Sequence, residues 1–332
     1  MTIEPKLWKK RFDIERAIRE FFWKLDYVET RTPLLVLSPG MEPHIKPVEI
    51  KRAPDQAGVF LPTSPEFAMK KLLAGGMERI FQICSSFRDE PASPEHHPEF
   101  TMLEFYESGL PLEGLQGRVE SLVQHLCLTI RRSSGFTYQG RTFHTDRPWR
   151  RIRVVDAFRE YAGIDLRQHP TPLSLHEVCR KFSILSEATE SWDDLYFKLW
   201  LNIVEPQLPA NELFFVTHYP LSQSSLCNPV ADETGFLWAN RFEAYAGRME
   251  LGNAFDELRD PEKQRANFEK DQKIRMETYG NSIPGSPLDE ELLEAVGRMP
   301  PVSGIAMGVD RLCMLLLDAK HIDEVIPLKS HW

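Results

Sequence analysis

The sequence predicts an α+β fold, a mostly antiparallel sheet flanked by helices. Three observations lead there. Runs that alternate apolar and polar residues, the mark of strands, cluster toward both ends of the chain. Helical periodicities dominate a middle section, roughly residues 111–210. A turn-rich loop, Pro91–Pro98, joins two alternating runs as a hairpin would. With 332 residues, 42% of them hydrophobic, the chain is long enough for one large domain, and 1–332 reads as a single unit.

Each element has its own reason. Residues 6–25 place Leu7, Ile14, Ile18, Phe21 and Leu25 at steps near the helical repeat, so they predict an amphipathic helix. The stretch ending at Thr32-Pro33 should be extended, because the residue before proline is biased out of the helical region. Ser64-Pro65-Glu66 predicts a helix start, with Ser64 as cap and Gly75-Gly76 as the stop. After it, Phe81, Ile83 and Phe87 alternate with Gln82, Cys84, Ser86 and Arg88. Beyond the loop, Phe100, Met102, Glu104 and Tyr106 share one parity. Strand signals return at 212–220, 241–247 and 248–255, a charged helix follows from Asp260, and 303–317 reads as a strand entering a helix.

Composition excludes several classes. A formal charge of −9 does not suggest a general nucleic-acid binder, which needs a basic face. The five cysteines include no C-x-x-C pair, which argues against a structural zinc site and fits a reducing cytoplasm. The first residues carry charge where a signal peptide would be apolar, and no run approaches the ~20 apolar residues of a membrane span, so no membrane association is expected.

Chemistry concentrates in three places. Arg88 offers a planar fork of donors to a carboxylate or phosphate. Read alone it is a strand-end arginine paired with Asp89 or Glu90. Arg311, just inside a helix behind Gly304 and Gly308, changes that balance, because such a helix start favours an anion. Together the two arginines suggest a triphosphate held from two sides. The third place is 241–258. Glu243 and Glu250 flank a turn at Gly247 and could hold magnesium, while Asn253, Phe255 and Glu257 share a strand face. Glu250 has the opposite parity and joins them only if Gly252 allows a bulge. Glu257 lies between apolar neighbours with no basic residue on its own strand, so a cationic ligand is the expected partner.

These residues carry a family resemblance. Phe87-Arg88-Asp89-Glu90 with His96-His97-Pro98-Glu99-Phe100 resembles motif 2 of class II aminoacyl-tRNA synthetases, in its lysine-type form. Gly304–Arg311 resembles motif 3, and the first helix through Thr32-Pro33 resembles motif 1. Thr63-Ser64-Pro65-Glu66 and Glu250–Glu257 extend the match over nearly the whole chain. The sequence opens at motif 1 without the anticodon-binding barrel of lysyl-tRNA synthetases. With Ser222–Leu226 as a further local match, it is identified as a member of the elongation factor P–lysine ligase family.

That resemblance implies a class II synthetase-like core and an ATP-dependent ligase. Lysine or (R)-β-lysine would be activated as an adenylate and passed to a lysine side chain of elongation factor P. It implies ATP contacts from Arg88, Glu90, His96, Phe100, Gly308 and Arg311, with Glu243 and Glu250 on Mg2+. Arg88 and Arg311 would be the catalytic cations. The amino acid would meet Ser64, Glu66, Glu104, Tyr106, Gly252, Asn253, Phe255 and Glu257. Motif 1 implies a homodimer, and tRNA binding is not expected. The sequence departs from the family at Ser93-Pro94-Glu95, where a basic residue is usual, at His97, and at Gly252. The protein ligases carry alanine at that last position and the tRNA-charging lysine enzymes glycine, so α-lysine stays open beside β-lysine. Other readings are aminoacylation of a tRNA-like RNA, or a non-catalytic lysine or nucleotide sensor.

Overall fold

A computed structural model describes residues 5–51, 58–280 and 286–328; the reading of the first four residues lies outside them. Helix α1 (Pro5–Trp23) leads into a short edge strand, β1 (Val28–Glu29). A small hairpin, β2 (Val48–Ile50) and β3 (Val59–Leu61), precedes α2 (Glu66–Ala74). The start of α2 differs slightly from expectation. Pro65 occupies the cap position, while the Ser64 hydroxyl still accepts from the Glu66 N–H at 3.3 Å. At its end Gly76 takes a positive φ, 98°, where a side chain would be strained.

The expected hairpin is present. Strands β4 (Arg79–Phe87) and β5 (Glu99–Ser108) pair antiparallel from Arg79↔Glu107 to Phe87↔Glu99. The middle section begins with α3 (Leu112–Leu126). Its reading as helices and polar connectors missed three strands: β6 (Gly135–Tyr138), β7 (Arg141–His144) and β8 (Arg150–Arg153). Each has only four residues, too few for a periodic signal. The β6–β7 turn at Gln139-Gly140, with φ of 46° and 76°, was the available clue. Helices α4 (Val154–Ala157), α5 (Pro172–Lys181) and α6 (Trp192–Leu199) follow. The chain then supplies β9 (Leu213–Tyr219), β10 (Pro229–Ala231), β11 (Leu237–Ala246) and β12 (Met249–Asp256). Helices α7 (Pro261–Tyr279) and α8 (Glu290–Val296), strand β13 (Val302–Gly308) and helix α9 (Val309–Leu317) complete the main elements.

The main sheet runs β1-β4-β5-β13-β12-β11-β9-β8, with β10 beside β11. Its inner pairs are antiparallel, and only the outermost, β1 with β4 and β8 with β9, are parallel. Alternation assigns the faces. Phe81, Leu103, Phe105, Ala254 and Ile305 join a core with α1, α3 and α9, where Phe22 stacks on Phe81 at 4.8 Å. On the opposite face Ile80, Tyr106 and Val302 pack with α2, α7 and α8. A third core gathers α4–α6 against β8 and β9. The sheet between α2 and α9 stays partly uncovered on its second face, and the site lies there.

Candidate active site

That uncovered face holds a cavity of about 230 Å³, walled by Ser64, Glu66, Arg88, Phe100, Asn253 and Arg311 among others. The hairpin brings Arg88 to its rim, where the guanidinium lies 5.2 Å from the centre of the Phe100 ring. The Arg88 Nε is buried and has no acceptor. Glu90, His96, Phe255 and Gly308 line the same cavity, as do Glu250 and Gly252.

Arg311 enters from the first turn of α9. It donates to the Glu250 carbonyl at 2.7 Å and to the Glu95 carbonyl at 3.4 Å, and its Nη2 meets His96 Nε2 at 2.7 Å. Burial, then Arg311 and Arg88, holds the His96 imidazole below its ordinary range, so the ring is neutral. With Nε2 accepting from Arg311, the proton belongs on Nδ1, which points at Ser93 Oγ, 2.8 Å away. The helix start carrying Arg311 is clamped from behind. Asp310 pairs with Arg11 of α1 and accepts from the Thr101 N–H at 2.6 Å.

The bulge needed at Gly252 is present. Strands β11 and β12 pair Ala244 with Gly252 but Tyr245 with Glu250, which leaves Leu251 as an extra residue. Glu250 therefore shares the cavity face with Asn253 and Phe255, while Met249, Leu251 and Ala254 enter the core. Glu243, opposite Asn253, accepts from Arg241 at 2.5 Å and from the Tyr245 hydroxyl at 2.6 Å. Burial and then Glu243 push the Glu250 carboxyl up to about 7. Two partly buried carboxylates that repel one another fit a divalent cation that would take its remaining ligands from outside the protein. Among the described residues no group of three or more His, Cys, Asp or Glu could hold a metal without such help.

The deep end corrects one expectation. Glu257 finds its cation inside the protein: Lys70 Nζ lies 2.7 Å from Glu257 Oε2 and 2.6 Å from Glu66 Oε1. Lys70 and Glu257 are each 1% exposed. Burial drives the Glu257 carboxyl up to about 8 against the pull of Lys70, and the two carboxylates push the Lys70 pKa above its ordinary range. Glu104 is also 1% exposed; it accepts from the Tyr106 hydroxyl at 2.5 Å, and its second oxygen has no donor. Glu104, Tyr106 and Glu257 therefore sit behind the open cavity rather than on its wall. Gly304 makes room for them, since a Cβ there would stand 2.1 Å from the Tyr106 ring and 2.9 Å from Glu257.

Sequence reasoning missed Lys70, Arg241 and Glu42. Lys70 stands one helical turn after Glu66, a spacing that was legible. Arg241 is held between the rings of Tyr219 and Phe255, at 4.3 and 5.5 Å; only its shared parity with Glu243 marked it. Glu42 lies in an irregular stretch with no periodic signal.

Gly252 is tightly enclosed. A Cβ on it would meet the Ala306 carbonyl oxygen at 2.6 Å and Met307 Cγ at 2.7 Å. Gly252→Ala is expected to cost about 1–3 kcal/mol of stability and to weaken amino-acid binding, as overpacking does. Thermal melting checks this, and an unchanged midpoint would mean that β12 and β13 separate freely.

The sequence matches the family of tRNA synthetases class II (D, K and N) over residues 5–330. The chain belongs to this family. Two kinds of protein are among its class II relatives. Lysine–tRNA ligase of Coxiella burnetii is 32% identical across 96% of this chain, but the match spans only 63% of that protein. Proteins named elongation factor P–(R)-β-lysine ligase, from Pseudoalteromonas translucida and Haemophilus influenzae, are 34% and 35% identical. Each of these two matches covers 96% of this class II chain and 93% of the relative. Among the described residues no helix is long and apolar enough to cross a membrane.

Proposed function

We propose that the protein uses ATP to activate lysine or (R)-β-lysine as an aminoacyl-adenylate and transfers the acyl group to a lysine side chain of elongation factor P. One observation carries the amino-acid part. Three carboxylates, Glu66, Glu104 and Glu257, face a single internal cation, Lys70, while Arg88 Nε waits at the other end without an acceptor. That excess of carboxyl groups over cations, beside a free guanidinium donor, suits an amino acid with one carboxylate and two ammonium groups. A mono-ammonium substrate would leave a buried carboxylate uncompensated, which is how such a site discriminates.

Arg88 would orient the amino-acid carboxylate toward the α-phosphorus, and Arg311 would bear on the terminal phosphate after trading its present acceptors for phosphate oxygens. Magnesium, held by Glu243 and Glu250, would supply charge neutralisation on the phosphates. Attack by the carboxylate releases pyrophosphate; attack by the acceptor amine then releases AMP. Both steps rest on positioning and charge, with no protein nucleophile. The acceptor reading rests on relatives matched along nearly their whole length. Charging of an RNA is the second reading, favoured by the lysine–tRNA ligase match and by a pocket with no room for a methyl group at Gly252. We further place the protein as a single-domain cytoplasmic homodimer that does not bind tRNA.

Intact-mass measurement of elongation factor P tests this, after incubation with the protein, ATP–magnesium, and α-lysine or (R)-β-lysine in parallel. The expected result is a mass gain of one lysyl group. Adenylate formation without that gain would overturn the acceptor and leave the activation.

A further inference from the structure

Glu42 is a partly buried carboxylate that the scheme above leaves unused. It lines the cavity beside Ser64, Glu66 and Arg88. Its Oε2 is buried and accepts no hydrogen bond. Burial raises its pKa and Glu66 raises it further, while Arg88 and Arg275 oppose them. Its placement is built rather than incidental. Arg275 of α7 donates from Nη2 to the Glu42 carbonyl at 2.7 Å and to the Gly40 carbonyl at 3.2 Å, so the turn wraps a fixed guanidinium. Gly40, at φ 143°, gives the carboxylate its space; a Cβ there would lie 2.7 Å from Glu42 Oε2. Thr63, on the approach to α2, donates its hydroxyl to the Pro39 carbonyl at 2.9 Å and ties this turn to the Ser64–Glu66 segment.

Lys70 sharpens the question of what Glu42 is for. Because Lys70 already lies 2.6 Å from Glu66 Oε1, Glu66 is not a full counter-charge for another ammonium. Glu42 lies next to Arg88 with a buried carboxylate oxygen, Oε2, that no donor among the described residues reaches. We propose that Glu42, together with Glu66, binds the amino group nearest the substrate carboxylate that Arg88 holds, and so sets which diamino acids the pocket accepts. An ammonium offers three donors, enough to satisfy both carboxylates at once. The substrate's remote ammonium is left to the Glu104 end of the site, where one carboxylate oxygen has no donor. This inference rests on the proposed function, and its test separates the two.

The experiment measures dissociation constants of α-lysine, (R)-β-lysine and 6-aminohexanoate, which lacks the near amine, with a non-hydrolysable ATP analogue present. Glu42→Gln keeps the shape of the side chain and removes its charge. It is expected to weaken both diamino acids by about tenfold or more, with 6-aminohexanoate and the ATP analogue changing by less than about threefold. Should Glu42→Gln fail to fold, Glu42→Asp keeps the charge but withdraws it, and the same amine-dependent loss is expected. Equal changes for all three ligands, or none, would overturn the assignment while leaving the proposed function standing. If the unaltered protein binds neither diamino acid, the functional reading falls and Glu42's role with it.

Discussion

Arg88→Ala is expected to lower amino-acid-dependent pyrophosphate exchange by about 10²–10³-fold, the cost of removing one preorganised donor from a developing charge. The fold should survive. Among the described residues the Arg88 side chain makes no ion pair within 4 Å, its Nε has no acceptor, and its clearest contact is the face of Phe100. The backbone contact that closes the hairpin, from the Arg88 N–H to the Pro98 carbonyl at 2.9 Å, does not depend on the side chain. Thermal melting and exchange measured on one preparation separate the two effects. Exchange near the unaltered level would remove Arg88 from the reacting centre.

Lys70→Met should act mainly on stability. The methionine fills the space but leaves Glu66 and Glu257 facing each other without a cation, a loss of about 3–5 kcal/mol for a broken buried pair. The pH dependence carries a sign. Burial holds the Glu257 carboxyl at about 8 even with Lys70 in place, whereas an unfolded glutamate titrates near ~4.3. Between those values the folded state binds a proton that the unfolded state lacks, so the group's contribution to stability falls as pH rises through that window. Without Lys70 the carboxyl moves higher still. The variant's deficit should therefore be larger at about pH 8.5 than at about pH 5.5, because a protonated Glu257 needs no counter-charge. Equal deficits at both would show that Lys70 contributes packing and not charge.

Where a short residue spacing decides geometry, the site was legible in advance. The parity of Phe100, Met102, Glu104 and Tyr106 follows from strand alternation, and the structure puts all four on one face of β5. Glu250 needed a bulge, and the glycine two residues on announced one. What stayed hidden depends on which elements meet. Nothing near Glu257 indicated Lys70, because the partner comes from α2, far away in sequence and adjacent only once α2 packs across the sheet. Glu42 sits in an irregular turn positioned by Arg275 from α7, a contact between residues 233 positions apart. The β6–β8 strands were lost for a different reason, since segments so short draw their stability from pairing and leave little pattern of their own.

Strand β13 lies between β5 and β12, yet it is the last strand of the sheet to be made. Until it is made, β5 and β12 each lack the neighbour that β13 supplies, while their pairings with β4 and β11 need only earlier residues. A nascent chain thus carries Arg88 and Glu250 well before it has a pocket. Residues 302–308 pair with both edges, and α9, which follows directly, carries Arg311 to the Glu250 carbonyl. Chain order thus makes the centre of the sheet its keystone: without residues 302–308 the edges of β5 and β12 stay unpaired, and the two sides of the cavity have no strand between them.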